Sequence, residues 1–277
     1  MSSAIQSRLR ERRRRRRIIL ACVVLILIGL FCYGTVTLMR KPFLRIQTIT
    51  VAGSDSVATS SLAQFARGEL SGNYWHFFPK DNILLYPKNK LAADVLSTFP
   101  SLRTASVHSD TLTSITLSVS EREPSALWCG DGGPTASSTP SSACLLLDEG
   151  GVAYAQAPTF SEPVYISYYG VLQGDSARLP AQFLTPSQFR SLAALVAALI
   201  KQADIGMPAR VSVDENNDVT VHFGGGFNIL FALGDDGGKI LQHFTLALSS
   251  APFTKHPLSA FQYLDLRFGD KLYYKFK

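Results

Sequence analysis

The sequence predicts an α+β protein carried on a single transmembrane helix, and three observations predict it. Residues 18–39 contain no charged side chain. Residues 43–122 then read as strand, helix, helix, strand, strand. Residues 124–277 hold many short alternating runs punctuated by glycine, proline and asparagine, with a few helical stretches between them. That last pattern belongs to a mostly antiparallel β domain with helices.

The uncharged run is 22 residues, Ile18 to Met39. At about 1.5 Å per residue a helix of this length covers roughly 33 Å, enough for a hydrocarbon core of about 30 Å. Eight arginines (Arg8, Arg10 and Arg12 to Arg17) precede it. Positive charge is retained on the cytoplasmic side during insertion, so residues 1–17 are expected inside and everything beyond about Arg40 outside the cell membrane. A cleaved signal peptide is the alternative, but its apolar region is about 7–15 residues and ends at an A-x-A site. This run is longer, and its later part reads Cys32-Tyr33-Gly34-Thr35.

Charge excludes one class of partner. The chain carries 27 Lys+Arg and 21 Asp+Glu; removing the eight arginines and Glu11 leaves 19 and 20. The surplus of positive charge therefore lies beside the anchor, where anionic headgroups attract it. No nucleic-acid partner is expected, and the lipid bilayer is.

In the first exported domain, Phe43 to Val51 is rich in β-branched residues and ends at Ala52-Gly53, a strand and a turn. Leu62, Phe65, Ala66 and Leu70 recur at helical spacing after a cap at Asp55 or Ser56, and Gly72 ends that helix. An aromatic loop (Tyr74, Trp75, Phe77, Phe78) follows, read as packing under a loop ahead of a stacking platform for a ligand, with a seat at the bilayer interface as a further alternative. A second helix places Leu91, Val95, Leu96 and Phe99 on one face and stops at Pro100. Ala105 and Val107, then Ile115, Leu117 and Val119, alternate with polar residues on either side of Ser109-Asp110-Thr111. This is a hairpin with one wet face.

Pro124 marks the boundary. Beyond it strands are expected at 125–129, 144–147, 152–155 and 164–166, with Asp148-Glu149-Gly150-Gly151 as a turn. Thr185-Pro186 opens a helix carrying Phe189, Leu192, Leu195, Val196 and Leu199 on one stripe. Strands follow at Val211–Val213, Val219–Phe223 and Phe227–Leu233, then a helix with Ile240, Phe244 and Leu248 that Pro252 ends. Phe261–Phe268 and Lys271–Lys277, linked by Gly269-Asp270, close the domain as a hairpin.

Cys22 and Cys32 lie within the apolar run. Cys129 and Cys144 lie outside it and flank a loop of low complexity, which a disulfide could close; two reduced, buried thiols are the alternative. No C-x-x-C, H-E-x-x-H, G-x-S-x-G or P-loop pattern occurs. The five histidines are scattered, so no metal, cofactor, catalytic residue or small-molecule substrate is expected. Gly224 to Gly226 reads as a hairpin turn, His222 as an exposed strand histidine, and Asp214, Glu215 and Asp218 as a turn lacking the spacing of a calcium loop.

This ordering of elements resembles the bacterial division protein family FtsQ/DivIB. Four stretches carry the likeness: FLRIQTITVAG, SVSEREPSALW, CLLLDEGGVAY and FQYLDLRFGDKLYYKF. The insertion between Cys129 and Cys144 departs from the family. The resemblance implies a cytoplasmic tail (1–17), one anchor (18–39), a POTRA domain (43–122) and a family-type β domain (124–277). It implies a non-enzymatic scaffold at the division septum, binding small bitopic coiled-coil partners of the FtsB/DivIC and FtsL kinds. Strand addition at a sheet edge is the implied mode. The last strand is the candidate, with Leu272, Tyr274 and Phe276 on one face and Tyr273, Lys275 and Lys277 on the other. Asp265 and Arg267 share a face of the preceding strand, two residues apart, and are expected to pair either with each other or across the hairpin in a structural role; an exposed pair contributes only up to about 1 kcal/mol. Tyr273 and Tyr274 rank above them as contacts, because aromatics dominate interface energies. The competing reading is a membrane-tethered POTRA module that binds exported polypeptides.

Overall fold

The computed structural model describes residues 2–75, 77–131, 144–173, 178–269 and 271–277, with side chains from Arg15 onward. His76, Asp270 and most of the loop between Cys129 and Cys144 lie outside the described residues. Two compact units are present, one from residues 1–98 and 104–121 and one from 99–103 and 122–277.

The first unit begins with helix α1, Ser2–Met39. Its portion Arg15–Met39, 25 residues, is long and apolar enough to cross a membrane, and none of it is buried against the rest of the chain. After a 3₁₀ turn at Pro42–Leu44, the order is β1 (Thr48–Ala52), α2 (Thr59–Glu69), the short pair β2 (Asn73–Tyr74) and β3 (Phe78–Pro79), α3 (Lys88–Thr98), β4 (Leu102–Ser109) and β5 (Ser114–Glu121). The sheet runs β1-β5-β4, with β1 parallel to β5 so that Thr48 faces Ser114 and Ala52 faces Ser118. The central position of β5 explains its strict alternation. Ile115, Leu117 and Val119 are buried, together with Leu62 and Ala66 of α2 and Leu91 and Val95 of α3.

Gly53 follows β1 with φ +84°, and a Cβ there would lie 2.2 Å from the Val119 carbonyl oxygen. Only glycine permits so close an approach of the turn to β5. Neither Asp55 nor Ser56 caps α2, contrary to the sequence expectation: the helix begins one turn later, with Ala58 at its N-cap and no side-chain cap there. The backbone N–H groups of Asp55, Ser56 and Val57 donate instead to the carboxylate of Glu121, 64 to 66 residues away, at 2.9–3.1 Å.

The second unit contains β6 (Ala126–Trp128), β7 (Leu145–Leu147), β8 (Val152–Gln156), β9 (Ser167–Tyr169), β10 (Ala181–Gln182), α4 (Pro186–Ala203), β11 (Arg210–Val213), β12 (Asp218–His222), β13 (Asn228–Ala232), α5 (Gly237–Ser249), α6 (Ala251–Lys255), β14 (Phe261–Phe268) and β15 (Lys271–Phe276). All ten strands join one sheet in the order β10-β8-β7-β6-β9-β11-β12-β13-β14-β15. Most neighbours are antiparallel, but β6–β9, β9–β11 and β13–β14 are parallel. Parallel neighbours need a crossover, and α4 supplies it between β9 and β11 while α5 and α6 supply it between β13 and β14.

The core of this unit joins Phe189, Leu192, Val196 and Leu199 of α4, and Ile240, Phe244 and Ala247 of α5, to one face of the sheet, including Val211, Val219, Val221, Ile229 and Phe231. Thr185 caps α4 through a reciprocal bond set with Gln188, and proline occupies its first turn. Two of the departures from the sequence reading have a clear physical cause. The strand expected at 164–166 forms at Ser167–Tyr169, because Tyr168 is the residue that enters the core, 1% exposed. Pro252 starts a helix as well as ending one: α5 stops at Ser249, and Pro252 lies in the first turn of α6, where its missing N–H has no partner to lose.

Candidate partner-docking edge

Strand β15 is the last member of the large sheet, and its outer rim faces no strand among the described residues. Six residues at about 3.4 Å each leave roughly 20 Å of ladder along that rim. The inner rim is fixed by β14, with Leu264 opposite Tyr274, Asp265 opposite Tyr273 and Tyr263 opposite Lys275. The register shifts twice, between Phe261 and Tyr263 and between Asp265 and Phe268. Such bulges sharpen the local twist of a strand pair.

The two faces of β15 alternate as the sequence suggests, with one difference. Leu272 packs against the core. Tyr274 and Phe276 share its face and join an aromatic cluster in which Phe253 stacks on Phe261 with centroids 4.3 Å apart, Phe276 stacks on Phe261 at 4.6 Å, and Tyr274 meets Phe253 edge-on at 5.5 Å. Both nevertheless remain 40–42% exposed. The five-residue helix α6 is too short to cover the end of the strand. On the opposite face Tyr273 is 49% exposed and sets its ring edge-on to Phe268 at 5.1 Å, and Lys275 is exposed. Beside the strand, His243, Leu246 and Ala247 of α5 line a cleft of about 240 Å³ with Leu266 and Leu272.

Asp265 and Arg267 pair with each other, but Asp265 is not exposed. Asp265 is 5% exposed, and the Arg267 guanidinium holds both its carboxylate oxygens, at 2.9 and 2.6 Å. A third bond, 2.5 Å long, runs from Arg267 to Asp218 on β12. Arg267 reaches across β13 because the residue opposite Asp218 there is Ala232, too small to block it. Burial alone would raise the Asp265 pKa, but the side chain and backbone N–H of Arg267 hold it below its ordinary value. The two carboxylates in turn raise the guanidinium, Asp265 most of all. This triad braces the strand from which β15 hangs.

Cys129 and Cys144 are joined by a disulfide, their Cα atoms 4.3 Å apart; Cys22 and Cys32 are free. His222 is half-buried, which the exposed reading missed. Its Nδ1 lies 2.8 Å from Asn228 Oδ1 and its Nε2 3.2 Å from Ser212 Oγ, across three adjacent strands. Burial, with Arg210 nearby, lowers the His222 pKa. Ser212, His222 and Asn228 stand on three neighbouring strands that are paired with one another. These contacts tie β11, β12 and β13 together as a cross-strand brace. The Gly225-Gly226 segment forms a tight turn between β12 and β13, and Asp214 accepts from the backbone N–H groups of Asn216 and Asp218 in the acidic turn. Among the described residues no three His, Cys, Asp or Glu side chains gather as a metal site.

The aromatic loop also differs from its first reading. Trp75 is 84% and Phe77 58% exposed, so neither packs beneath the loop. Comparison of the chain with protein-family models yields no match, and comparison with curated protein sequences yields none.

Proposed function

We propose that this protein is a non-enzymatic bitopic membrane scaffold of the bacterial division apparatus, of the FtsQ/DivIB type. In this reading α1 crosses the cytoplasmic membrane with the arginines inside, the first unit is a POTRA domain, and the second unit carries the docking surface at the division septum. The observation that carries it is the open rim of β15, flanked by half-exposed aromatics on both faces and by an apolar cleft. An extended segment of a small coiled-coil bitopic protein would complete the ladder, while an apolar side chain of that segment enters the cleft lined by Leu246 and Leu272. Main-chain bonds supply affinity without sequence demand, and the exposed aromatics of β15 with the neighbouring cleft supply selection. The order β1-α2-α3-β4-β5 of the first unit, with the short pair β2–β3 set between its two helices, and the one helix among the described residues that is long and apolar enough to span a membrane support the same family reading.

The test is copurification of the full chain with FtsB/DivIC-like and FtsL-like proteins of the same genome. Replacing Tyr274 by Ala is expected to cost about 2 kcal/mol of binding, roughly thirtyfold, as for a central aromatic anchor. Partner capture that survives Tyr273→Ala, Tyr274→Ala and Leu246→Ser together would remove this edge from the mechanism.

A further inference from the structure

Among the exposed large apolar side chains beyond the membrane helix, Phe43, Trp75, Phe77, Leu84 and Leu85 lie nearest to its end in the chain. They come from two segments, 40–48 and 72–88, and both are tied to the end of α1. The Asn82 side chain donates to the Met39 carbonyl oxygen at 2.8 Å, and Arg40 Nε donates to the Phe77 carbonyl oxygen at 3.1 Å. Asn82 is itself fully buried, and its Oδ1 accepts from the Leu84 N–H at 2.9 Å. The main chain adds Ile46 N–H to the Asp81 carbonyl and Ile83 N–H to the Leu44 carbonyl. The exposed aromatics therefore sit on a frame fixed to the last turn of the helix.

Helix length sets the depth of that frame. The uncharged run covers roughly 33 Å against a hydrocarbon thickness of about 30 Å, and headgroups extend the bilayer to about 40–45 Å. Met39 then lies within the headgroup layer, and so does whatever is bonded to it. Charge is distributed to match. Segments 40–48 and 72–88 carry Arg40, Lys41, Arg45, Lys80 and Lys88 against Asp81 alone, whereas the other residues beyond position 39 carry 14 basic and 19 acidic side chains. A near-neutral body thus has a local net positive charge in the two segments tied to the end of the helix.

We propose that the β2–β3 hairpin is a second membrane contact, seating Trp75 and Phe77 in the interfacial layer of the leaflet through which α1 exits, with Arg40, Lys41 and Lys80 facing lipid phosphates. Amphipathic aromatic rings favour that layer, and basic side chains are drawn to anionic headgroups within it. The contact rests on the reading of α1 as a span. It holds the first unit at the membrane by two points, which limits how far that unit can tilt.

Tryptophan emission tests it in the full chain, reconstituted in vesicles of phosphatidylcholine and phosphatidylglycerol. Subtracting the emission of Trp75→Phe from that of the native chain isolates Trp75 from Trp128. Lipids brominated near the ester end are expected to quench most of this difference emission, lipids brominated near the methyl end less, and aqueous acrylamide little. Leu25→Trp, made in the Trp75→Phe chain, should show the opposite depth preference and reports the span independently. If Leu25→Trp is quenched by the deep bromines while Trp75 stays open to acrylamide and indifferent to bromine, the span stands and the hairpin contact is overturned, leaving Trp75 free for a protein partner. If neither responds to brominated lipid, the span and the contact fall together.

Discussion

Replacing Glu121 by Gln tests the most economical long-range link in the first unit. The carboxylate accepts from the Asp55, Ser56 and Val57 backbone N–H groups and from the Ser54 and Ser56 hydroxyls. Burial opposes its charged form, yet the bonds from the Ser56 side chain and from the Val57, Ser56 and Asp55 backbone together hold its pKa down from 4.5 to about 2. Fully expressed, that shift corresponds to about 3 kcal/mol. Glu121 is only partly buried, and solvent screening reduces the expected loss to about 1–2 kcal/mol. Glutamine keeps the shape but turns an amide donor toward groups that are themselves donors.

The sign follows from a depressed folded-state pKa. The stabilisation is complete above pH 4.5 and disappears as pH falls toward 2. Amide hydrogen exchange resolves it locally: Asp55, Ser56 and Val57 should lose protection in Glu121→Gln at neutral pH. Native and variant chains should converge as acid protonates the native carboxylate. Unchanged protection of those three amides, or a difference that persists unaltered down to pH 2, would refute the reasoning.

Arg267→Ala should destabilise the second unit by about 2–4 kcal/mol, since it strands the buried Asp265 carboxylate; a denaturant midpoint equal to that of the native chain is the contrary result. Gly53→Ala adds a Cβ 2.2 Å from a backbone oxygen at positive φ, and loss of more than about 2 kcal/mol from the first unit is expected by exchange or proteolysis. Breaking the disulfide with Cys129→Ser and Cys144→Ser opens a loop spanning 15 positions and should cost about 3 kcal/mol in the chain-entropy account, read as a lower midpoint that reductant lowers equally in the native chain.

Much of the architecture is legible in local pattern. Ile115, Leu117 and Val119 alternate because one face of β5 is buried and the other is polar. The Thr185-Pro186 start of α4 is written in four residues, since capping is local chemistry. The candidate edge was legible too, as an alternating aromatic strand. Its exposure was not, because how far α6 covers Tyr274 and Phe276 depends on where a separate helix stops. In sequence Asp265 and Arg267 read as a local pair; Asp218, 49 residues before Arg267, turns them into a triad around a buried Asp265 that only strand order could reveal. The Glu121 clasp escaped for the same reason, since its partners begin 64 residues away.

The sequence by itself determined what depends on composition and short spacing: one helix long and apolar enough to span a membrane, the positions of turns, and the faces of strands and helices. These follow from burial and backbone sterics acting over a few residues. Tertiary structure alone decided which strand lies at the rim, which carboxylates find a guanidinium, and that Trp75 and Phe77 stand in the open beside the end of α1. Each of those outcomes requires residues far apart in the chain to meet, and local periodicity carries no record of such meetings.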